Sequence, residues 1–402
     1  MTQSVVDTDI SPERLSILIA TAAVLQLSES MLPYPIPGLR LGLANIISLI
    51  VFFQFGFKPA LVVTLLRTVV SSFIIGSFLS PGFVLSFTAG LASISVAAFC
   101  HRLSAHIPLL QLSPLGVGII GAFVHNMVQL LLAYMMFFNH PGIFVFVPWL
   151  ALGSVVLGGI SGSLATAVLN RLSKESGQRY NIPVSAPSFE NQTYRPGDSV
   201  IHRCPVVVKI GFVLLTTLLT VFFENLFFYS VLFFIIAALI SLSSLFYGQV
   251  FSVLKKLWAI ILGAFLLPLF FNHGTQELLN TPFGVIHLEA VLSSLVFSMR
   301  IILLALLSSL LARTTSVESF TTGIQVYLKP FDLVGINSNS IARNISNALS
   351  ALPGVWVEMR SLLVFLLAGK PKNFKTIRDA AIHLFIHLFT STNQFSSNNE
   401  PR

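Results

Sequence analysis

Charge is what this chain has least of. Asp, Glu, Lys and Arg make up 9% of its 402 residues against 54% apolar, and the mean hydropathy is +0.85. A soluble domain carries roughly 25% charged residues, so a chain this poor in charge cannot keep a water-facing surface in solution. That excludes a free globular enzyme or binding domain. Cysteine is nearly missing as well: Cys100 and Cys204 are the only two, in no metal-ligand spacing and too few for a disulfide framework. There is no Gly-x-x-x-x-Gly-Lys-Ser/Thr loop, so the chain is not expected to hydrolyse ATP itself. It has no Asp-Asp-x-x-Asp pair to hold magnesium and a diphosphate, and neither a His-Glu-x-x-His helix nor a nucleophile elbow. The expectation is a protein that is not an enzyme, with no catalytic residue, no cofactor and no metal. No cleavable leader is evident, because residues 1–12 are polar and include Asp7 and Asp9.

What is present is apolar runs of about 17–25 residues, the length that crosses a bilayer as a helix. Lipid cannot hydrogen-bond a backbone, so helices are the expected form; a transmembrane barrel would instead alternate in segments of about ten residues. The fold class is therefore all-α, a polytopic transmembrane helical bundle of about ten spans. Spans are expected at 15–32, 41–55, 60–79, 83–100, 115–138 and 144–169, then at 206–222, 226–246, 257–271 and 288–311. The one long polar gap, 171–203, holds Lys174, Glu175, Arg179, Asn181, Glu190, Arg195 and Asp198 and reads as a cytoplasmic linker. Five regions follow: a six-helix domain over 1–172, a linker over 173–204, a transmembrane domain over 205–312, a cytoplasmic segment over 313–389 and a tail over 390–402.

The net charge of +8 would suggest nucleic acid in a soluble protein. Here it follows the positive-inside rule, and no nucleic-acid partner is expected. With Met1 cytoplasmic, the inner loops hold Arg14, Lys58, Arg102, the linker cluster, Lys255, Lys256, Arg313, Lys329, Arg343, Lys370, Lys372, Lys375 and Arg378. The outer loops hold Arg40 with Glu29, Glu224 and Glu277. The expected setting is the bacterial inner membrane, crossed several times, with both termini cytoplasmic. Beyond Arg313 the pattern changes. The stretch 341–367 is apolar but broken by Arg343, Asn344, Asn347, Pro353, Glu358 and Arg360. It is too polar for an easy span and reads as amphipathic helices in the cytoplasmic interface or packed beneath the bundle. The stretch 380–389 is too short to cross, and the Ser/Asn-rich end reads as a disordered tail.

Polar groups inside spans are costly and need a reason. Arg67 lies in the third span, on its cytoplasmic half; it is either a charge-pair or coupling contact or a side chain snorkelling to the interface. In the fifth span His125 and Gln129 share a helix face with Asn126 beside them, behind Gly121 and Ala122. They form a substrate site or hold helices together by hydrogen bonds. The loop 28–45 carries three prolines that stiffen it; Glu29 and Arg40 flank it and Asn45 enters the next span. It is a lid over a pocket or a plain connector. Arg300 sits mid-span in the second half. Gly90, Gly158, Gly159 and Gly162 read as packing positions, and the remaining intramembrane Ser and Thr as bonded to their own backbone.

Several of these residues also carry a resemblance. Leu32-Pro33 through Pro37-Gly38, Leu41-Gly42-Leu43-Ala44-Asn45, Leu66-Arg67, Leu85-Ser86 with Ala89-Gly90, and Gly121-Ala122 with His125-Asn126 and Gln129 resemble the Gx transporter family. Its members are often labelled heptaprenyl diphosphate synthase component I and look like substrate-binding (S) components of energy-coupling-factor (ECF) transporters. The resemblance covers about residues 15–172. The second half resembles the CbiQ-like transmembrane (T) components of the same transporters. That match starts at Pro205 and Lys209, runs through Arg300 and Leu304, and is best at Thr314-Thr315-Ser316, Glu318, Phe320, Gly323, Leu328-Lys329-Pro330 and Gly335-Ile336. It fades after Leu352-Pro353 and Glu358-Met359-Arg360. The family's two Ala-Arg-Gly motifs, which dock on ATPases, are absent: Ala368-Gly369-Lys370 is a remnant and Ala312-Arg313-Thr314 is misplaced.

The resemblances imply a fused S–T subunit of an ECF-type importer for a small molecule, driven by separate ABC-type ATPase subunits. Glu29, Arg40, Asn45, His125, Asn126 and Gln129 would bind substrate. Arg67, Arg300, Thr314, Thr315, Ser316, Glu318, Lys329, Pro330, Glu358 and Arg360 would couple the halves to the ATPases. The alternatives are a membrane scaffold for isoprenoid or quinone enzymes and, against the missing aspartates, a prenyltransferase.

Overall fold

The apolar runs fold as helices in a computed structural model that describes residues 10–31, 42–105, 111–138, 141–172, 194–271, 274–281, 284–335, 337–368, 379, 382 and 385–386. The first half contributes α1 (Pro12–Met31), α2 (Leu43–Phe55), α3 (Phe57–Ile75), α4 (Pro81–Ala105), α5 (Pro114–Ala133) and α6 (Val147–Leu172). α5 starts where Ser113 accepts a hydrogen bond from the Gly116 amide and Pro114 supplies a preset φ at the first turn. It ends in a π-helical turn, Tyr134–Phe138. The second half begins with one short turn, α7 (Val200–Arg203). α8 (Val206–Phe222), α9 (Leu226–Leu242), α10 (Tyr247–Phe271) and α11 (Leu288–Thr314) follow, and then α12 (Val317–Leu328) and α13 (Ser338–Ala368).

Five helices among the described residues are long and apolar enough to cross a membrane, or six if the two arms of α10 make one span. They are α3, α4, α5, α6 with the turn before it, and α11. α2, α8 and α9 are apolar but shorter, and α1 carries Glu13, Arg14 and Glu29. This describes an all-α membrane protein. In α11, 67% of its most apolar stretch is inside the protein, and in α3 61%, against 17% in α5 and 11% in α6. α3 and α11 are therefore interior, while α5 and α6 present Leu131, Trp149, Leu152 and Val156 outward, as lipid-facing helices do.

Three features depart from the sequence expectation. Lys255 and Lys256 lie within α10 rather than in a loop between spans; its two arms, Tyr247–Lys255 and Ile260–Phe270, bend by 65°. Between α10 and α11 the chain makes an antiparallel hairpin, β1 (Glu277–Thr281) with β2 (Gly284–His287). The segment expected as separate amphipathic pieces is one helix, α13, of 31 residues, which passes through Pro353. Its buried stripe is Ile345, Ala348, Leu349, Leu352, Val355 and Met359, the i, i+3, i+4, i+7 spacing of a one-sided helix.

That stripe packs on the first half. The Ser16 hydroxyl donates to Asn344 at 3.3 Å, and Ser28 lies 3.5 Å from the Met359 sulfur. α1 and α13 thus run in the same direction along about 18 Å of α1 at 1.5 Å per residue. Both halves contribute to one buried apolar core.

α13 begins at a cap made by the turn Lys329–Val334: the Asp332 carboxylate accepts from the Ser338 amide at 2.7 Å and its hydroxyl at 2.8 Å. Hydrogen bonds from the Ser338 amide and then its hydroxyl hold the Asp332 carboxyl below the usual range, with Lys329 adding to them. A depressed folded value contributes stability at pH above the unfolded value, and that contribution is lost as pH falls through the folded one. Asp332→Ala should therefore lower the melting temperature at pH 7, with the difference closing below pH ~4. A difference that is the same at pH 7 and pH 3 would remove the cap from the account.

Candidate substrate cavity and the seam between the halves

The polar residues of the first half converge. A cavity of about 100 Å³ lies among α1 to α6, and its walls include Glu29, Asn45, Arg67, His125, Asn126 and Gln129. The structure thus brings together five of the six residues expected to bind substrate. Arg40 lies outside the described residues. Arg67, expected as a charge-pair or coupling contact or as a snorkelling side chain, bonds the start of α2 and lines the same cavity.

The charged members are buried: Glu29 is 3% exposed and Arg67 6%. Both grip the first turn of α2. Glu29 accepts from the Gly42 amide, and Arg67 donates through Nη2 to the Asn45 carboxamide oxygen. Gly42 is the N-cap and has φ +75°, a conformation glycine adopts without strain. The turn is thus held from α1 by a carboxylate and from α3 by a guanidinium. Asn126 reaches across to α6, donating to the Ser154 hydroxyl at 2.8 Å. It therefore serves the interhelical bonding that was the alternative to substrate contact, while still lining the cavity.

Sequence reasoning gave no site role to Gln26, Ser48, Thr64, Thr68, Ser86, Ser93 and Ser161, which also line the cavity. Thr64 and Thr68 do bond their own backbone, at Ala60 and Thr64. The signal that could have found them is their spacing with Arg67, which puts all three within one turn of α3.

A seam of contacts joins this half to the second. The Phe320 ring of α12 stacks on Phe73 of α3, with centroids 3.8 Å apart and planes at 17°, and meets Phe78 edge-on at 4.9 Å. Ser308 of α11 donates to the Phe78 carbonyl and Thr217 of α8 to the Leu79 carbonyl. Arg300, 1% exposed, donates to the Tyr229 hydroxyl at 2.8 Å and to the Met136 carbonyl in the π-turn at the end of α5. Its guanidinium also lies over the Phe297 ring. The helix that carries His125, Asn126 and Gln129 is thereby tied to α11.

The other end of α11 carries the remaining motif residues. Thr314 and Thr315 are buried. Lys209 at the start of α8 donates to the Thr314 carbonyl at 2.8 Å, and the Arg195 amide to the Arg313 carbonyl at 2.9 Å. Ser316 caps α12 by accepting from the Ser319 amide, and Glu318 sits in its first turn, where a negative charge suits the helix dipole. Lys329 and Pro330 open the turn that caps α13. Glu358 and Arg360 lie on α13, Glu358 partly covered and Arg360 exposed.

Comparison with known proteins follows this division. Residues 197–395 match the family described as Cobalt transport protein, CbiQ. The curated relatives are named energy-coupling factor transporter transmembrane protein EcfT. That of Brevibacillus brevis is 29% identical over 219 residues, 52% of this chain and 82% of the relative. That of Acidaminococcus fermentans is 28% identical over 217 residues, 52% and 81%. That of Thermosediminibacter oceani is 33% identical over 176 residues, 42% and 64%. These likenesses define the class, a membrane transport protein similar to ECF transmembrane components. The particular chain has two parts in series, because residues 18–168 match the family described as Heptaprenyl diphosphate synthase component I ahead of the CbiQ match.

Proposed function

We propose that this chain is a fused subunit of an ECF-type importer. Its first half binds a small molecule, its second half transmits the work of separate ABC-type ATPases, and the chain itself catalyses nothing. The observation that carries the reading is that one chain joins a buried polar cavity in its first half to an EcfT-like second half through a continuous packed seam. Tethering by the 173–204 linker holds the two at high effective concentration.

The seam also supports a mechanism. α13 bears Arg343, Asn344, Asn347, Glu358 and Arg360, and such a helix is costly to put across a bilayer, so it lies along the cytoplasmic face. α1 runs beside α13 over most of its length and is held close to the same plane. The first half is thereby packed against α12 and α13. Motion of these two helices, driven by ATPases beneath them, would swing the cavity between the two sides of the membrane. In this reading both termini are cytoplasmic and about ten helices contribute to the membrane domain.

A mild-detergent pull-down of the tagged chain, read by mass spectrometry, tests this. Recovery of ABC-type ATPases is expected. Repeated recovery of prenyl synthases without any ATPase would overturn the importer and favour the scaffold reading suggested by the family name of the first half.

A further inference from the structure

The cavity walls restrict what can enter them. Among the described lining residues there is no Phe, Tyr or Trp, in a chain where 11% of residues are aromatic. Among these described residues the only ring is the imidazole of His125. In place of aromatic platforms the wall offers hydroxyls (Ser48, Thr64, Thr68, Ser86, Ser93, Ser161), the carboxamides of Gln26, Asn45 and Gln129, and small residues such as Gly90 and Gly121. The Gln26 carboxamide oxygen is buried and takes no hydrogen bond among the described residues. A buried acceptor without a donor is unfavourable, so it is a position at which a ligand donor is favoured. The size is modest, about 100 Å³.

Charge adds direction. Glu29 lies at the end of α1 and fixes the Gly42 amide. Arg67 comes from the middle of α3 and is 6% exposed; besides its bond to Asn45, its planar guanidinium is of the kind that pairs with oxyanions. We propose that the cavity takes a compact, non-aromatic, hydroxyl- or amide-bearing solute whose carboxylate or phosphate pairs with Arg67 while its polar body bonds the α1, α4 and α5 walls. Prenyl chains and fused aromatic heterocycles are excluded by size, and the described walls offer aromatic rings no stacking surface. The inference rests on the first half being the substrate-binding half.

The test uses the full chain in lipid nanodiscs, followed by thermal shift and by calorimetric titration. The probes are L-serine and glycerate as carboxylates, glycerol 3-phosphate and inorganic phosphate as phosphates, and riboflavin and geranyl diphosphate as aromatic and prenyl comparators. Saturable binding by at least one compact anion is expected, weakened more than tenfold by Arg67→Gln and less by Arg67→Lys; which anion binds separates carboxylate from phosphate. Arg67→Lys guards against a misfolded Gln variant, and the comparators are read on the unaltered protein. Binding of riboflavin or geranyl diphosphate would overturn the proposal. So would anion binding indifferent to Arg67→Gln in a folded variant, or no binding by any compact anion. ATPase recovery in the pull-down is independent of these outcomes, so failure of the ligand class and failure of the importer reading are told apart.

Discussion

Replacing Phe320 by alanine should release the two halves from each other. The ring is fully buried, stacked on Phe73 and edge-on to Phe78, so one side chain of the second half fills a socket built by the first. Truncating a buried Phe to Ala costs about 3–5 kcal/mol, because the lost contacts leave a cavity that the surroundings only partly close. Here the loss falls on the seam. With a protease site placed in the 173–193 stretch, the cut wild-type halves should co-elute on size exclusion while Phe320→Ala halves separate, and the uncut variant should melt earlier. Uptake should fall with the separation and binding in the first half should persist. Co-elution of the cut Phe320→Ala halves at the wild-type melting temperature would show that the stack contributes little. The α1–α13 contact would then be the main bond between the halves.

How much of this could be read beforehand depends on whether the determining contact was local. The cavity was largely legible because the price of polarity in a bilayer marks its residues one by one: Asn45, His125, Asn126 and Gln129 stand out in apolar runs. Arg67 stood out too, but its direction did not. A side chain in mid-span can snorkel toward a surface or turn inward, and here it turns inward to partners that include Asn45, 22 residues away. The amphipathic character of 341–367 was visible. Its continuity through Pro353 and its partner were not, because Asn344 meets Ser16 across 328 residues of sequence. Lys255 and Lys256 suggested a loop, yet long side chains let a helix carry charge at its bend. The β1–β2 hairpin offered only short strands with little alternation, too weak a pattern to separate from a connector.

The second large effect is expected at the crossing of α5 and α6, where the sequence supplies Gly158-x-x-x-Gly162 opposite Gly118. A methyl added at Gly162 would sit 2.5 Å from the Leu115 Cα and 2.7 Å from the Pro114 carbonyl oxygen. One at Gly158 would sit 2.7 Å from the Gly118 carbonyl. The obstacle in each case is backbone, which cannot swing aside as a side chain end can, so the helices must move apart. This is the small-residue packing that lets membrane helices approach closely, and the cavity depends on it: α5 brings His125 and Gln129, and α6 brings Ser154 and Ser161. Gly162→Ala should cost about 1–3 kcal/mol or more by overpacking and widen the cavity enough to weaken ligand binding. Gly159, one helical step from Gly158, supplies the control, since a methyl there meets nothing within 4 Å. Gly159→Ala should be neutral or stabilise by about 0.5–1 kcal/mol through helix propensity alone. Melting temperatures of the two purified variants should therefore move apart. If both fell equally, glycine flexibility in α6 rather than close approach to α5 would be what this stretch requires.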